Sequence, residues 1–124
     1  MSESTVLYVE DNEYNRKIVR QLFSRTSYRL IEAVDGESGV AMAQQELPNL
    51  ILMDVQLPKM SGLDATRLLK ADARTSHIPI IVITSFALSG DREKAAEAGA
   101  CSYLAKPYSP RELMALVRQY LPEP

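Results

Sequence analysis

Cysteine is nearly absent. Cys101 is the only one in 124 residues, so no internal disulfide can form, which fits a reducing cytoplasm. It lies within Ala-Gly-Ala-Cys-Ser-Tyr, a setting of small residues that predicts a buried, inert thiol. No apolar run approaches the roughly 20 residues of a membrane span. The opening Met-Ser-Glu-Ser-Thr has neither the basic nor the apolar segment of a secretory signal. An excess of positive charge is missing as well. Lys and Arg number 14 against 16 Asp and Glu, for a net charge of −2, which leaves no electrostatic footprint for nucleic acid or an anionic membrane. The one histidine, His77, lies in a loop before Pro79 with no partner for metal or catalytic work. Repeats, low-complexity tracts and any linker long enough to separate domains are also lacking. These absences predict one cytoplasmic domain over residues 1–124, with its core from about Thr5 to Leu121.

What is present is a regular alternation. Thr5-Val6-Leu7-Tyr8-Val9 predicts a first strand. A helix from Tyr14 to Ser24 follows, with Tyr14, Ile18, Val19, Leu22 and Phe23 as its apolar face. Tyr28 to Ala33 predicts a strand nearer the sheet edge, because Arg29 and Glu32 interrupt it. A helix starts at Asp35-Gly36-Glu37 and runs through Glu46, where Pro48 forbids its continuation. Asn49-Leu50-Ile51-Leu52-Met53-Asp54 is an unbroken apolar run ending in one carboxylate, the pattern of a strand covered on both faces. Ser61-Gly62-Leu63 opens a helix to about Ala73, and Ile80-Ile81-Val82-Ile83 is a fourth strand ending at Thr84-Ser85. Ser89 can cap a helix over Gly90 to Ala98, with Gly99 suited to its left-handed end. Ser102 to Ala105 is a fifth strand, ended by Lys106-Pro107. Ser109-Pro110-Arg111-Glu112 is a capping box with Pro at the first helical position. The last helix uses Leu113, Leu116, Val117 and Tyr120 as its core face. Five strands alternating with five helices imply right-handed crossovers. The expected fold is α/β, a flavodoxin-like doubly wound five-stranded parallel sheet of order 2-1-3-4-5 with five helices, whose first and third strands adjoin at the topological switch point.

In that order the chemistry collects at one end of the sheet. Glu10 and Asp11 follow the first strand, Asp54 ends the third, Thr84 the fourth, and Lys106 follows the fifth. The sequence offers these positions no evident helical or salt-bridge role. Packed carboxylates repel unless a cation or proton joins them. Oxygen ligands of this kind suit Mg²⁺, which keeps several of its waters. A hydroxyl and an ammonium facing the same point suit an anion such as a phosphoryl group.

Glu10-Asp11-Asn12, Met53-Asp54 followed by Leu57-Pro58 and Ser61-Gly62, Thr84 after an apolar strand, and Lys106-Pro107 before a capped helix together resemble a bacterial response-regulator receiver domain, over about Thr5 to Leu121. The stand-alone receivers resemble it best, since nothing is left over for an output domain. The resemblance implies a phosphorylation-dependent switch in two-component signalling rather than an enzyme. It makes Asp54 the phosphoacceptor. Asp11, Asp54 and the backbone carbonyl of Gln56 would ligate Mg²⁺, for which Mn²⁺ can substitute, and Glu10 would act through a metal-bound water. Lys106, Thr84 and the Ser85 backbone N–H would hold the phosphoryl oxygens. Tyr103 matches the aromatic switch position that responds to Thr84. Lys94, Ala95, Tyr103, Tyr108 and Arg111 would form the partner face. The implied partners are a histidine kinase or histidine phosphotransfer protein and a downstream protein target. In that family the bond before Pro107 is usually cis.

Two departures stand out. Ser85 replaces the usual Ala or Gly, and Gln56 and Phe86 fill the variable positions flanking the attacking water, where Phe86 is expected to shield the acyl phosphate. The rival readings are fewer than the fold allows. A phosphatase that forms an aspartyl phosphate needs a second Asp two positions after the first, and Gln56 stands there. A flavin or nucleotide module needs a Gly-rich loop after the first strand, where Glu-Asp-Asn would repel phosphate. A receiver acting by constitutive, unphosphorylated binding stays open.

Overall fold

The structure is a computed structural model that describes residues 4–85 and 91–123. Its elements, in chain order, are β1 (Thr5–Val9), α1 (Glu13–Phe23), β2 (Arg29–Ala33), α2 (Gly36–Glu46), β3 (Leu50–Asp54), α3 (Gly62–Ala71), β4 (Ile80–Thr84), α4 (Asp91–Ala98), β5 (Ser102–Ala105) and α5 (Pro110–Tyr120). The strands form one sheet in the order β2-β1-β3-β4-β5, with every pair parallel. This is the expected doubly wound architecture.

The two-residue period of the strands divides the core into two layers. Val6, Tyr8, Leu50, Leu52, Ile81 and Ile83 face one side, where Val19 and Phe23 of α1 and Leu113 and Val117 of α5 cover them. Leu7, Val9, Ile51, Met53, Ile80 and Val82 face the other, against Ala43 of α2, Ala65 and Leu69 of α3 and Ala95 of α4. Every residue of β3 and β4 is buried, because helices cover both faces of these strands. Burying each Leu or Ile of this kind contributes about 1.5–3 kcal/mol.

Local signals place the helix ends. Asn12 caps α1, its Oδ1 accepting from the Asn15 N–H at 2.9 Å. Asp35 and Ser38 make a reciprocal capping box at α2, and Ser109 and Glu112 make another at α5, with Pro110 at the first helical position. Gly99 takes φ of +105° after α4, as expected of a left-handed helix end.

Three expectations fail. Tyr14 and Ile18 are not core residues of α1 but lie exposed, at 71% and 38%. The buried stripe runs instead through Val19 and Phe23, with Leu22 beside it, so the two earlier residues fall past its margin. Cys101 is exposed rather than buried, because it precedes edge strand β5 instead of lying within it. Ala95, expected on the partner face, is 2% exposed and packs from α4 into the second core layer. Phe86, Ser89 and Gly90 lie outside the described residues.

Candidate functional site

Parallel register brings the strand tips level. Val9 pairs with Met53, Asp54 with Ile83, and Thr84 with Ala105, so the residues ending each strand share one end of the sheet. Backbone bonds extend this alignment past the strands: the Glu10 N–H donates to the Ala33 carbonyl at 3.0 Å, and the Lys106 N–H to the Thr84 carbonyl at 2.7 Å. Gly62 opens α3 directly over the Asp54 carbonyl, leaving no room there for a side chain. The Lys106-Pro107 bond is cis.

The carboxylates of Glu10 and Asp54 are both buried, and one ammonium joins them. Lys106 Nζ donates to Asp54 Oδ2 at 2.6 Å and to Glu10 Oε1 at 3.0 Å. This is the salt bridge that the sequence did not disclose. Burial alone would lower the Lys106 pKa, but the hydrogen bonds and charges of Asp54 and Glu10 outweigh it and hold the ammonium above its ordinary value. The other Asp54 oxygen, Oδ1, accepts from the Gln56 backbone N–H at 2.8 Å. Asp11 is exposed at the adjoining tip. Among the described residues no three His, Cys, Asp or Glu side chains are arranged as a metal cage. The cation seated between two of the expected carboxylates is Lys106 itself.

Thr84 and Ser85 complete the cluster through Gln56, whose Nε2 donates to Thr84 Oγ1 at 3.2 Å and whose Oε1 accepts from the Ser85 N–H at 3.1 Å. Tyr103 lies one strand away, half-buried, with the Arg92 guanidinium 5.6 Å from its ring centre. Lys94 and Arg111 are exposed and Tyr108 is half-buried. His77 is exposed in its loop.

Three contributors were not foreseen. The Tyr8 hydroxyl, buried within the core, donates to Glu10 Oε1 at 3.3 Å. Asn15 Nδ2 donates to the same oxygen at 3.2 Å, and Arg16 Nη1 donates to the Glu10 carbonyl at 2.8 Å. Burial, with Tyr108 and the Glu10 charge beside it, pushes the Tyr8 phenol far above its ordinary pKa. No described side-chain polar atom in the interior lacks a partner, so the network is satisfied throughout. The only sequence signal for Tyr8 was a polar tip on an otherwise aliphatic strand.

A doubly wound sheet with a buried Asp, an adjoining Glu and a cis-Pro-linked Lys at its tips is the arrangement of a receiver domain. The family model for the response regulator receiver domain matches residues 6–118, and the chain belongs to that family, whose members act in two-component signalling. The polar-differentiation response regulator DivK of Brucella anthropi is 40% identical over 117 residues, covering 94% of this chain and 95% of the relative. Among solved structures, the receiver domain of the sensor histidine kinase PA1611 from Pseudomonas aeruginosa, crystallised with magnesium in its active-site cleft, superposes with a TM-score of 0.88 at 35% identity, over 96% of this chain and 98% of that one. A putative response regulator from Chloroflexus aurantiacus gives 0.91 at 28% identity, over 97% and 98%. Among the described residues no helix is long and apolar enough to cross a membrane.

Proposed function

We propose that this chain, as one domain over residues 1–124, accepts a phosphoryl group on Asp54 from a phosphohistidine of a kinase or phosphotransfer protein and thereby changes its affinity for a downstream protein. The observation that carries the reading is the buried Asp54 carboxylate, held by Lys106 at 2.6 Å on one oxygen and by the Gln56 N–H on the other. In the transfer an Asp54 oxygen attacks phosphorus, an O–P bond forms, the N–P bond breaks, and its electron pair returns to the imidazole of the donor. The acyl phosphate later loses the phosphoryl group to water and restores the carboxylate.

Lys106 is placed to follow the charge as it moves from Asp54 to the phosphoryl oxygens, with the Thr84 hydroxyl and Ser85 N–H as further donors. The donor chemistry fits a magnesium ion. Glu10, Asp11 and Asp54 formally outnumber Lys106 by two negative charges, and Mg²⁺ accepts oxygen ligands while retaining waters, so it needs no cage of three carboxylates. Asp11, Asp54 and the Gln56 carbonyl would hold it, with Glu10 acting through water. The bound ion would neutralise charge developing on the phosphoryl group.

Phosphorylation adds close to two negative charges beside Thr84. Tyr103, on the neighbouring strand, is the proposed relay to the face of α4, β5 and α5, where Lys94, Tyr108 and Arg111 are accessible. Signalling requires only that a partner prefer one of the two states. The test is incubation with Mg²⁺ and acetyl phosphate, followed by mass spectrometry and amide-shift mapping. The parent gains one acid-labile phosphoryl group and shifts spread from Asp54 to Tyr103. Equal labelling of Asp54→Asn would overturn the assignment.

A further inference from the structure

The Gln56 carboxamide spans the ends of β3 and β4. Ser85 N–H can only donate, so the Gln56 atom facing it at 3.1 Å is the carbonyl oxygen, and the amide nitrogen faces Thr84 Oγ1 at 3.2 Å. These two contacts engage the same pair of groups that the proposed function aims at the phosphoryl oxygens. They differ in what they permit. A hydroxyl can accept from Gln56 and still donate its own proton, so the Thr84 contact survives the arrival of a phosphoryl group. A backbone N–H has one proton, so the Ser85 contact does not.

We infer that the Gln56 side chain is a positioning residue that stands in for the phosphoryl group, holding Thr84 and Ser85 at the spacing of its donors until Asp54 is phosphorylated. The inference deepens the proposed function and rests on its assignment of Ser85 and Thr84. In the unphosphorylated protein the carboxamide satisfies the Ser85 N–H and anchors the tip of β4 to the loop after Asp54. Phosphoryl arrival exchanges one acceptor for another at Ser85 and releases Gln56 Oε1. The amide nitrogen stays beside Thr84. Two features make glutamine suited to this. Its oxygen and nitrogen serve a donor and an acceptor on adjacent residues at once, and its Gln56 N–H to Asp54 Oδ1 bond at 2.8 Å fixes where the side chain starts. A glutamate would keep the acceptor but would lose the donor and bring negative charge to the phosphoryl group. A methionine would fill the same space and bond to neither.

The experiment titrates the full chain with beryllofluoride and Mg²⁺ and follows it by nuclear magnetic resonance, in the parent, Gln56→Met and Gln56→Glu. Gln56→Met binds beryllofluoride about three- to tenfold more tightly, because no neutral hydrogen bond has to be exchanged, whereas Gln56→Glu binds more weakly than the parent. Before any metal or beryllofluoride is added, the Ser85 amide proton of Gln56→Met lies upfield of its parent position. After loading, the two coincide. Should the variants disturb folding, the parent alone decides: a scalar coupling across the hydrogen bond from Ser85 ¹⁵N to Gln56 ¹³Cδ is present without ligand and vanishes on loading. Equal or weaker binding by Gln56→Met, an unmoved Ser85 amide, or a coupling that persists overturns this inference and leaves the Asp54 assignment intact. A parent that takes up no beryllofluoride overturns both.

Discussion

Gly62 stands so close to Asp54 that a Cβ added to it would lie 1.9 Å from the Asp54 carbonyl oxygen. Nothing in that contact is a flexible side-chain end. The first turn of α3 and the tip of β3 must therefore separate if any other residue replaces the glycine. Gly62→Ala is expected to lower stability by about 3 kcal/mol, toward the upper end for overpacked sites, and to cut phosphoryl uptake because Asp54 shifts with its backbone. Thermal unfolding and acetyl phosphate labelling measured together check both effects.

Lys106 is the counter-ion for two carboxylates that are each 1% exposed. Removing it leaves buried negative charge without a partner, which costs about 3–5 kcal/mol in comparable pairs. Lys106→Met should be destabilised by about that amount, and Mg²⁺ should raise its melting temperature more than it raises the parent's. The double variant Asp54→Asn/Lys106→Met should be less destabilised than the sum of the single changes, since the two residues share one interaction. Calorimetry with and without Mg²⁺ settles the point, and equal metal responses in Lys106→Met and parent would contradict it.

Tyr8 sets an alkaline limit. Burial holds its phenol above the ordinary tyrosine value, so folding favours the neutral form. That contribution is complete below the unfolded pKa, near pH 10, and is lost as pH rises beyond it. Tyr28, Tyr108 and Lys106 are shifted the same way and add to the loss. Tyr8→Phe should flatten the alkaline limb by up to about 1.4 kcal/mol per pH unit, the weight of one proton. Urea unfolding between neutrality and pH 11 would show it.

Ser109 and Glu112 close the first turn of α5 reciprocally: the Ser109 N–H donates to Glu112 Oε1 at 3.0 Å, and the Glu112 N–H to Ser109 Oγ at 3.1 Å. Ser109→Ala should lower stability by about 1 kcal/mol. Denaturant midpoints compared with the parent at equal slope are the measurement.

That capping box was legible because both halves lie within four residues. The strands were legible for a related reason: runs such as Ile80-Ile81-Val82-Ile83 suit an interior covered on both faces. Their order, and with it the meeting of Asp54 and Lys106, followed from topology. What escaped depends on distances the chain does not encode locally. Periodicity marked Tyr14 and Ile18 as apolar but could not tell the buried stripe of α1 from its flank. The small neighbours of Cys101 suggested an interior that an edge strand does not provide. Ala95 shares a helix with exposed Lys94, and only the packing of α4 on α3 and β5 separates them. Gln56 was read for its carbonyl and for its place beside the attacking water, but its hydrogen bonds escaped, because its side-chain partners Thr84 and Ser85 lie 28 and 29 positions along the chain and reach it only through the β3–β4 register.

Both oxygens of Asp54 are engaged, one by Lys106 and the other by the Gln56 N–H. A carboxylate gripped at two points cannot rotate about its terminal torsion, so the nucleophile's plane is set before any donor approaches. In the proposed transfer the orientational entropy of the attacking group has then been surrendered during folding, and the incoming phosphorus has only its own alignment left to find.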